Sequence, residues 1–240
     1  MSKPSLPTLM IKGKLVSPTG DPSLQPELDN WIPYEYILEW FRSRAQPGIA
    51  NRVLILKSET ASGKSTLLPP KIYEAFVQGK KIGMICTQPR VLTAVENVKQ
   101  MLSNYKFLRL GENVGWSTKE NKIRPKNVGL LSATIGTLTQ QLKTMTDEEI
   151  MNKYKFILID ETHERDLQTD MTIYMLKSLL SRQKNNPSCP FVVLMSATFE
   201  PDSFLRYFGV ERKTNFIWCR GEAAGFEEMW EWNEGQIGRA

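Results

Sequence analysis

Cysteine and histidine are scarce in this sequence, and their scarcity removes several chemistries at once. Cys86, Cys189 and Cys219 stand far apart with no CxxC spacing, and His163 is the single histidine. Neither a disulfide framework nor a zinc centre is supported by such a set. Long apolar runs are also missing. None approaches the roughly 20 residues that a membrane-spanning helix needs, and the opening MSKPSLPTLM lacks the charged-then-apolar layout of a signal peptide. An intracellular chain without a membrane partner is therefore expected. Nor is there a strong excess of one charge: the formal net charge of +5 permits contact with a polyanion without demanding it.

What is present is enough apolar residue, 41% of 240, to build one large α/β domain or two small ones. The most informative stretch is Val53 to Thr66, VLILKSETASGKST. Val53 to Leu56 has no polar alternation and predicts a strand buried on both faces. Ser58, Glu59, Thr60, Ala61, Ser62 and Gly63 then form a loop of mostly small residues leading into Lys64, Ser65 and Thr66, with a helix expected from about Ser65. Strand, tight loop and helix N-terminus in that order make a phosphate cradle, to which a lysine adds a point charge and a hydroxyl a magnesium ligand. The usual pattern is GxxxxGK[ST], and Ser58 stands at its first position.

Along the rest of the chain, residues 1 to about 28 are rich in proline and serine and predict a loosely ordered extension. A helix is expected from Pro33, with Tyr34, Ile37, Trp40 and Phe41 in one stripe that packs on the domain rather than stacking on bases. Further strands are predicted at Ile82 to Cys86, Val114 to Trp116, Gly129 to Ala133, Phe156 to Ile159, Phe191 to Met195 and Phe216 to Trp218. Helices are expected at Val91 to Leu102, Ile135 to Met145, around Met171 to Leu180 and at Asp202 to Phe208. The basic stretch holding Lys119, Lys122, Arg124 and Lys126 predicts a solvated hairpin or loop. Alternation of this kind predicts a mostly parallel sheet with helices on both faces. Polar clusters follow the strands at 58–65, 87–90, 132–134, 160–163 and 196–198. All of them fall on the carboxyl edge, where open α/β sheets bind ligands. Asp160 and Glu161, adjacent carboxylates leaving an apolar strand, suit a magnesium-holding acid and a neighbour that orients or deprotonates water.

Ser58 to Ser65, Thr87 to Arg90, Asp160-Glu161-Thr162-His163 and Ser196-Ala197-Thr198 together resemble motifs I, Ia, II and III of DEAH/DExH-box superfamily 2 RNA helicases, in the family's order over about residues 50–220. The likeness is strongest to the DEAH-like helicases of large cytoplasmic DNA viruses. It implies a single RecA-like domain at 51–220, with an N-terminal extension at 1–50 and a tail at 221–240. It also implies ATP as the nucleotide, bound by the 58–66 cradle, with Lys64 on phosphate, Ser65 and Asp160 on magnesium, and Glu161 as the base. The same resemblance makes His163, Ser196 and Thr198 the groups that couple nucleotide state to strand movement, and Arg90 and Thr134 contacts to an RNA, or DNA, backbone. Ser132 to Thr134 repeats the Ser-Ala-Thr string, but only Ser196 follows the acidic tetrad; Thr134 and Gly136 match the family's backbone-contacting threonine and glycine. Departures from the family are Ser58 and Ala61 in place of glycines and Thr162 in place of alanine. Members carry a second RecA-like lobe with an arginine-rich motif that residues 221–240 do not match, so a separately encoded lobe is an expected partner. The resemblance places the chain in the cytoplasm, of a host cell or in a virion if viral. The competing function is a truncated remnant or regulator that binds nucleotide or RNA without turnover.

Overall fold

The computed structural model describes residues 9–11, 14–16, 34–58, 63–126, 129–164, 166–198 and 200–219. Of the segments expected to matter, Glu59 to Ser62, Arg165 and the 221–240 tail lie outside these residues.

Two short strands, β1 (Leu9–Ile11) and β2 (Lys14–Val16), pair antiparallel as a sheet of their own. This differs from the loosely ordered extension expected there. Leu9 pairs in register with Val16 and Met10 with Leu15, short apolar stretches of the sequence that a composition rich in proline and serine conceals.

The main sheet is built from β3 (Val53–Ser58), β4 (Gly83–Gln88), β5 (Val114–Ser117), β6 (Lys122–Ile123), β7 (Leu130–Thr134), β8 (Tyr154–Ile159), β9 (Phe191–Ser196) and β10 (Phe216–Cys219). Their spatial order is β10-β3-β9-β8-β4-β7-β5-β6, parallel throughout except for the β5–β6 hairpin at one edge. Every residue of β4 and β9 is buried, the mark of strands covered on both faces.

Helices α1 (Tyr34–Arg42), α2 (Leu68–Ile72) and α3 (Val91–Asn104) cover one face, where Leu54, Leu56, Met84, Phe156, Leu158 and Met195 meet Trp40 and Phe41. Phe41, Phe156 and Phe191 pack ring to ring at centroid separations of 5.0–5.1 Å. The Trp40 indole Nε1 donates to the Thr214 carbonyl at 2.7 Å, and Ile37, Trp40 and Phe41 are all buried, so these residues are core and unavailable for stacking on a base. On the other face lie α4 (Ile135–Thr144), α5 (Asp147–Lys153), α6 (Leu167–Arg182) and α7 (Pro201–Phe208), against Val53, Ile55, Ile157, Ile159, Val192 and Leu194. The short α8 (Arg212–Asn215) leads into β10. Alternate residues of β3 thus feed two different cores, which fixes the register of the strand that leads into the cradle.

After β3 the regular helix begins at Leu68 rather than Ser65. The Gly63 carbonyl accepts from the amides of Thr66, Leu67 and Leu68, closing a turn, but Pro69 and Pro70 have no N–H to give back to the residues before them. Ladder bonds are lost there, and the helix widens to a π turn over Tyr73–Val77. Among the described residues no helix is long and apolar enough to cross a membrane.

Candidate nucleotide site

The ends of β3, β9, β8 and β4 lie side by side, because these strands are neighbours in the sheet. Gly63 has φ +85°, a backbone conformation that side chains resist, and a Cβ there would run into Leu67. Glycine at this position is therefore demanded by the turn that presents Lys64. Lys64 is buried, and its ammonium lies 2.9 Å from Glu161 Oε1. Ser65 Oγ donates to Asp160 Oδ2, and Gln88 Nε2 donates to the same oxygen at 2.9 Å. The Glu161 amide closes the other side by donating to Asp160 Oδ1 at 2.9 Å.

Glu161 is the one described non-glycine residue with positive φ, at 53°. Such a backbone costs on the order of 1–3 kcal/mol and persists only where the surroundings impose it. Here it turns the chain so that consecutive carboxylates serve different partners: Asp160 faces Ser65 and Gln88, while Glu161 faces Lys64 and His163. His163 Nδ1 is 3.1 Å from Glu161 Oε2 and 2.8 Å from Ser196 Oγ, and that hydroxyl accepts from the Thr198 amide at 3.3 Å. Thr162 Oγ1 donates to the Met195 carbonyl at 3.2 Å, tying the end of β8 to the end of β9. Lys64, Ser65, Asp160, Glu161, His163, Ser196 and Thr198 are thus brought into one connected cluster. Ser58 is buried at the end of β3. Gly63 and Thr66 belong to the turn that follows, with Thr66 also buried.

Arg90 and Thr134 take separate positions on the same edge. Arg90 is exposed at the start of α3, and Thr134 precedes α4 with its hydroxyl 3.1 Å from that of Thr137. Gln88 pairs in register with Thr134, so the two loops are adjacent. Gln88 itself went unrecognised as a partner of Asp160. The available signal was its place at the end of a strand, but only the pairing of β4 with β8 brings it beside the acid.

Burial pushes the Asp160 carboxyl pKa up, against the opposing pull of Lys64, Ser65 and Gln88. Compared with the unfolded chain, the folded state therefore shifts the balance toward the neutral acid. Stability from that source is fully present below the ordinary carboxylate pKa and is lost as pH rises through the raised value. Asp160→Asn should accordingly melt at a higher temperature than the parent near neutral pH, with the gap closing as pH falls. Melting curves across a pH series check this, and a variant that melts lower at neutral pH would contradict it.

The donor set is hard oxygen, a hydroxyl and a buried carboxylate in direct contact, which is the chemistry magnesium selects. With a buried lysine alongside, the cluster can hold a triphosphate and its counter-ion and place a carboxylate near the terminal phosphate.

Comparison with known proteins agrees with this geometry. The family described as DEAD/DEAH box helicase matches residues 42–205. Protein B962L of African swine fever virus (isolate Tick/Malawi/Lil 20-1/1983), a candidate RNA helicase by name, is 40% identical over 93% of this chain. The DExH-box ATP-dependent RNA helicase DExH3 of Arabidopsis thaliana is 32% identical over 67% of the chain, and the ATP-dependent RNA helicase DHX30 of Rattus norvegicus 35% over 65%. The chain spans 25% of the length of the viral relative and 13% of the plant and rat proteins. With strand order, site geometry and motif order in agreement, the chain belongs to the DEAD/DEAH box helicase family.

Proposed function

We propose that residues 51–220 form the ATP-binding domain of an RNA helicase, which couples ATP hydrolysis to movement along a strand. Residues 1–50 would precede this domain and 221–240 would follow it, and a second helicase lobe would be its partner. The cytoplasm, of a host cell or within a virion, is the compartment where such a protein would act. One observation carries the reading: an unbroken run of polar contacts from Lys64 through Glu161 and His163 to Ser196 and Thr198. A change at the terminal phosphate would be felt by Glu161 first and passed through His163 to the end of β9.

In this scheme residues 58–66 cradle the phosphates of ATP, and Lys64 exchanges its pairing with Glu161 for the β and γ phosphates. Ser65 and Asp160 would hold magnesium, which neutralises charge on the phosphates when bound. Glu161, once released by Lys64, orients or deprotonates the attacking water. Arg90 and Thr134, on loops beside the site, would contact the nucleic-acid backbone.

Binding of a labelled single-stranded RNA of about 20 nucleotides tests the coupling, measured with and without magnesium and a non-hydrolysable ATP analogue. Affinity should change severalfold with nucleotide, and His163→Ala should lose the difference while still binding RNA. RNA affinity indifferent to nucleotide in the parent would favour a regulator that binds without coupling. Tighter binding of DNA than RNA would move the substrate class.

A further inference from the structure

A groove unconnected with the nucleotide cluster runs beside the β5–β6 hairpin. Its upper part is a cavity of about 540 Å³ between the hairpin and α4, bordered by Thr134, Lys119 and Lys122 at the carboxyl edge of the sheet. The lower part is a second cavity, about 250 Å³, near the starts of β4, β7 and β8, bordered by Lys126 and Lys153. The two share Arg124 and Gln141, so the concavity follows the height of the sheet, on the order of 17 Å for a strand of this length.

Its charge is one-sided. Lys119, Lys122, Arg124, Lys126 and Lys153 border it, and no acidic side chain does so among the described residues. Of the three acids on α5, Asp147 makes a two-pronged pair with Arg182 at 2.7 and 2.9 Å, Glu149 caps its own helix through Thr146, and Glu148 is exposed and does not border the groove. Burial, and then the charge of Arg124, hold the Lys153 ammonium below the usual lysine range. Two cations that oppose each other's charge across a concavity gain from an anion placed between them. Ser117 Oγ, buried in the wall of the upper cavity, has no hydrogen-bond partner among the described residues.

Lysines beside a short edge strand also discourage pairing with another chain. That role needs charge on the outer rim only. Arg124 and Lys126, from the segment after β6, and Lys153, from the end of α5, instead meet around one hollow.

We infer that this groove is a second phosphate-binding track, in which Arg124, Lys126 and Lys153 hold the backbone of a nucleic-acid strand that has passed Thr134 and continues toward the amino edge of the sheet. Nucleic acid is favoured over an acidic protein segment because the lower cavity opens through Arg124 into the one bordered by Thr134. The inference rests on the proposed RNA contact at that edge.

The test uses the 240-residue chain and single-stranded RNAs of about 6 and about 20 nucleotides, titrated by fluorescence anisotropy over a salt series. The double variant Arg124→Glu/Lys126→Glu changes exposed side chains only, and Lys153→Met gives an independent check from the other wall. Melting curves should match the parent for the double variant. The long RNA should bind about tenfold or more weakly to it, with a salt slope shallower by about 1.4, the value for two single-strand phosphate contacts. The short RNA, held at the carboxyl edge, should bind as before. Equal affinity of parent and both variants for the long RNA would overturn the track and leave the carboxyl-edge reading standing. A parent that binds neither RNA would remove both. Competition by a polyglutamate peptide as effective as by RNA would assign the groove to an acidic protein partner and overturn the nucleic-acid assignment.

Discussion

Lys64→Ala is expected to weaken magnesium-ATP binding by about tenfold to a hundredfold, the equivalent of one charge-assisted contact worth roughly 1.5–3 kcal/mol. In this structure the lysine is already paired: its ammonium lies 2.9 Å from Glu161. In the proposed binding mode, nucleotide would exchange one anion for another, and the affinity would report a difference between two ion pairs. The variant loses the cation and also leaves a carboxylate uncompensated where the triphosphate would enter. Glu161→Gln, in contrast, removes the competitor and should bind ATP as tightly as the parent or more so. The Lys64→Ala/Glu161→Gln double variant should recover part of the loss, because the repulsion is gone while the missing cation is not. Calorimetric titration of the four proteins gives the coupling directly. Equal affinity of Lys64→Ala and parent would remove Lys64 from the phosphate site.

The strands were legible in the sequence because a parallel sheet covered on both faces needs continuous apolar runs. Val53 to Leu56 and Phe191 to Met195 are such runs, and each extends in the structure by only a residue or two. The polar clusters that follow them were legible for the same reason: an abrupt change from apolar to small and charged marks where a strand leaves the core. Contacts that depend on which strands are neighbours were not legible. Gln88 meets Asp160 only because β4 lies beside β8, although 72 residues separate the two. The positive φ of Glu161 likewise accompanies a pairing with a distant loop, through Lys64. Local chemistry explains the remaining differences. The late start of α2 follows from Pro69 and Pro70, visible in the sequence but overlooked as missing donors. Helix α5 was passed over although Thr146 and Glu149 stand at capping-box spacing; the structure forms both bonds of that box.

The 240-residue chain is expected to bind ATP yet to hydrolyse it slowly, with RNA adding little. Lys64 is paired with Glu161, the proposed water-activating carboxylate, and the charge that develops on a γ phosphate requires further donors in the transition state. In the family that this chain resembles, arginines from the second lobe supply them. Such arginines are worth about a thousand- to a hundred-thousandfold in turnover, roughly 4 to 7 kcal/mol of barrier. Binding should survive without them because the proposed phosphate and magnesium ligands, Lys64, Ser65 and Asp160, all belong to this domain. A steady-state ATPase assay with and without RNA measures the effect, with Glu161→Gln as the background. The expected result is turnover close to that background, rising steeply when a second lobe from a relative is added in trans. RNA-stimulated turnover of about one per second by the chain alone, lost in Glu161→Gln, would mean that this domain completes its own transition-state charge. A group outside the Lys64 cluster would then have to be sought among its own residues, beginning with Arg90 on the adjoining loop.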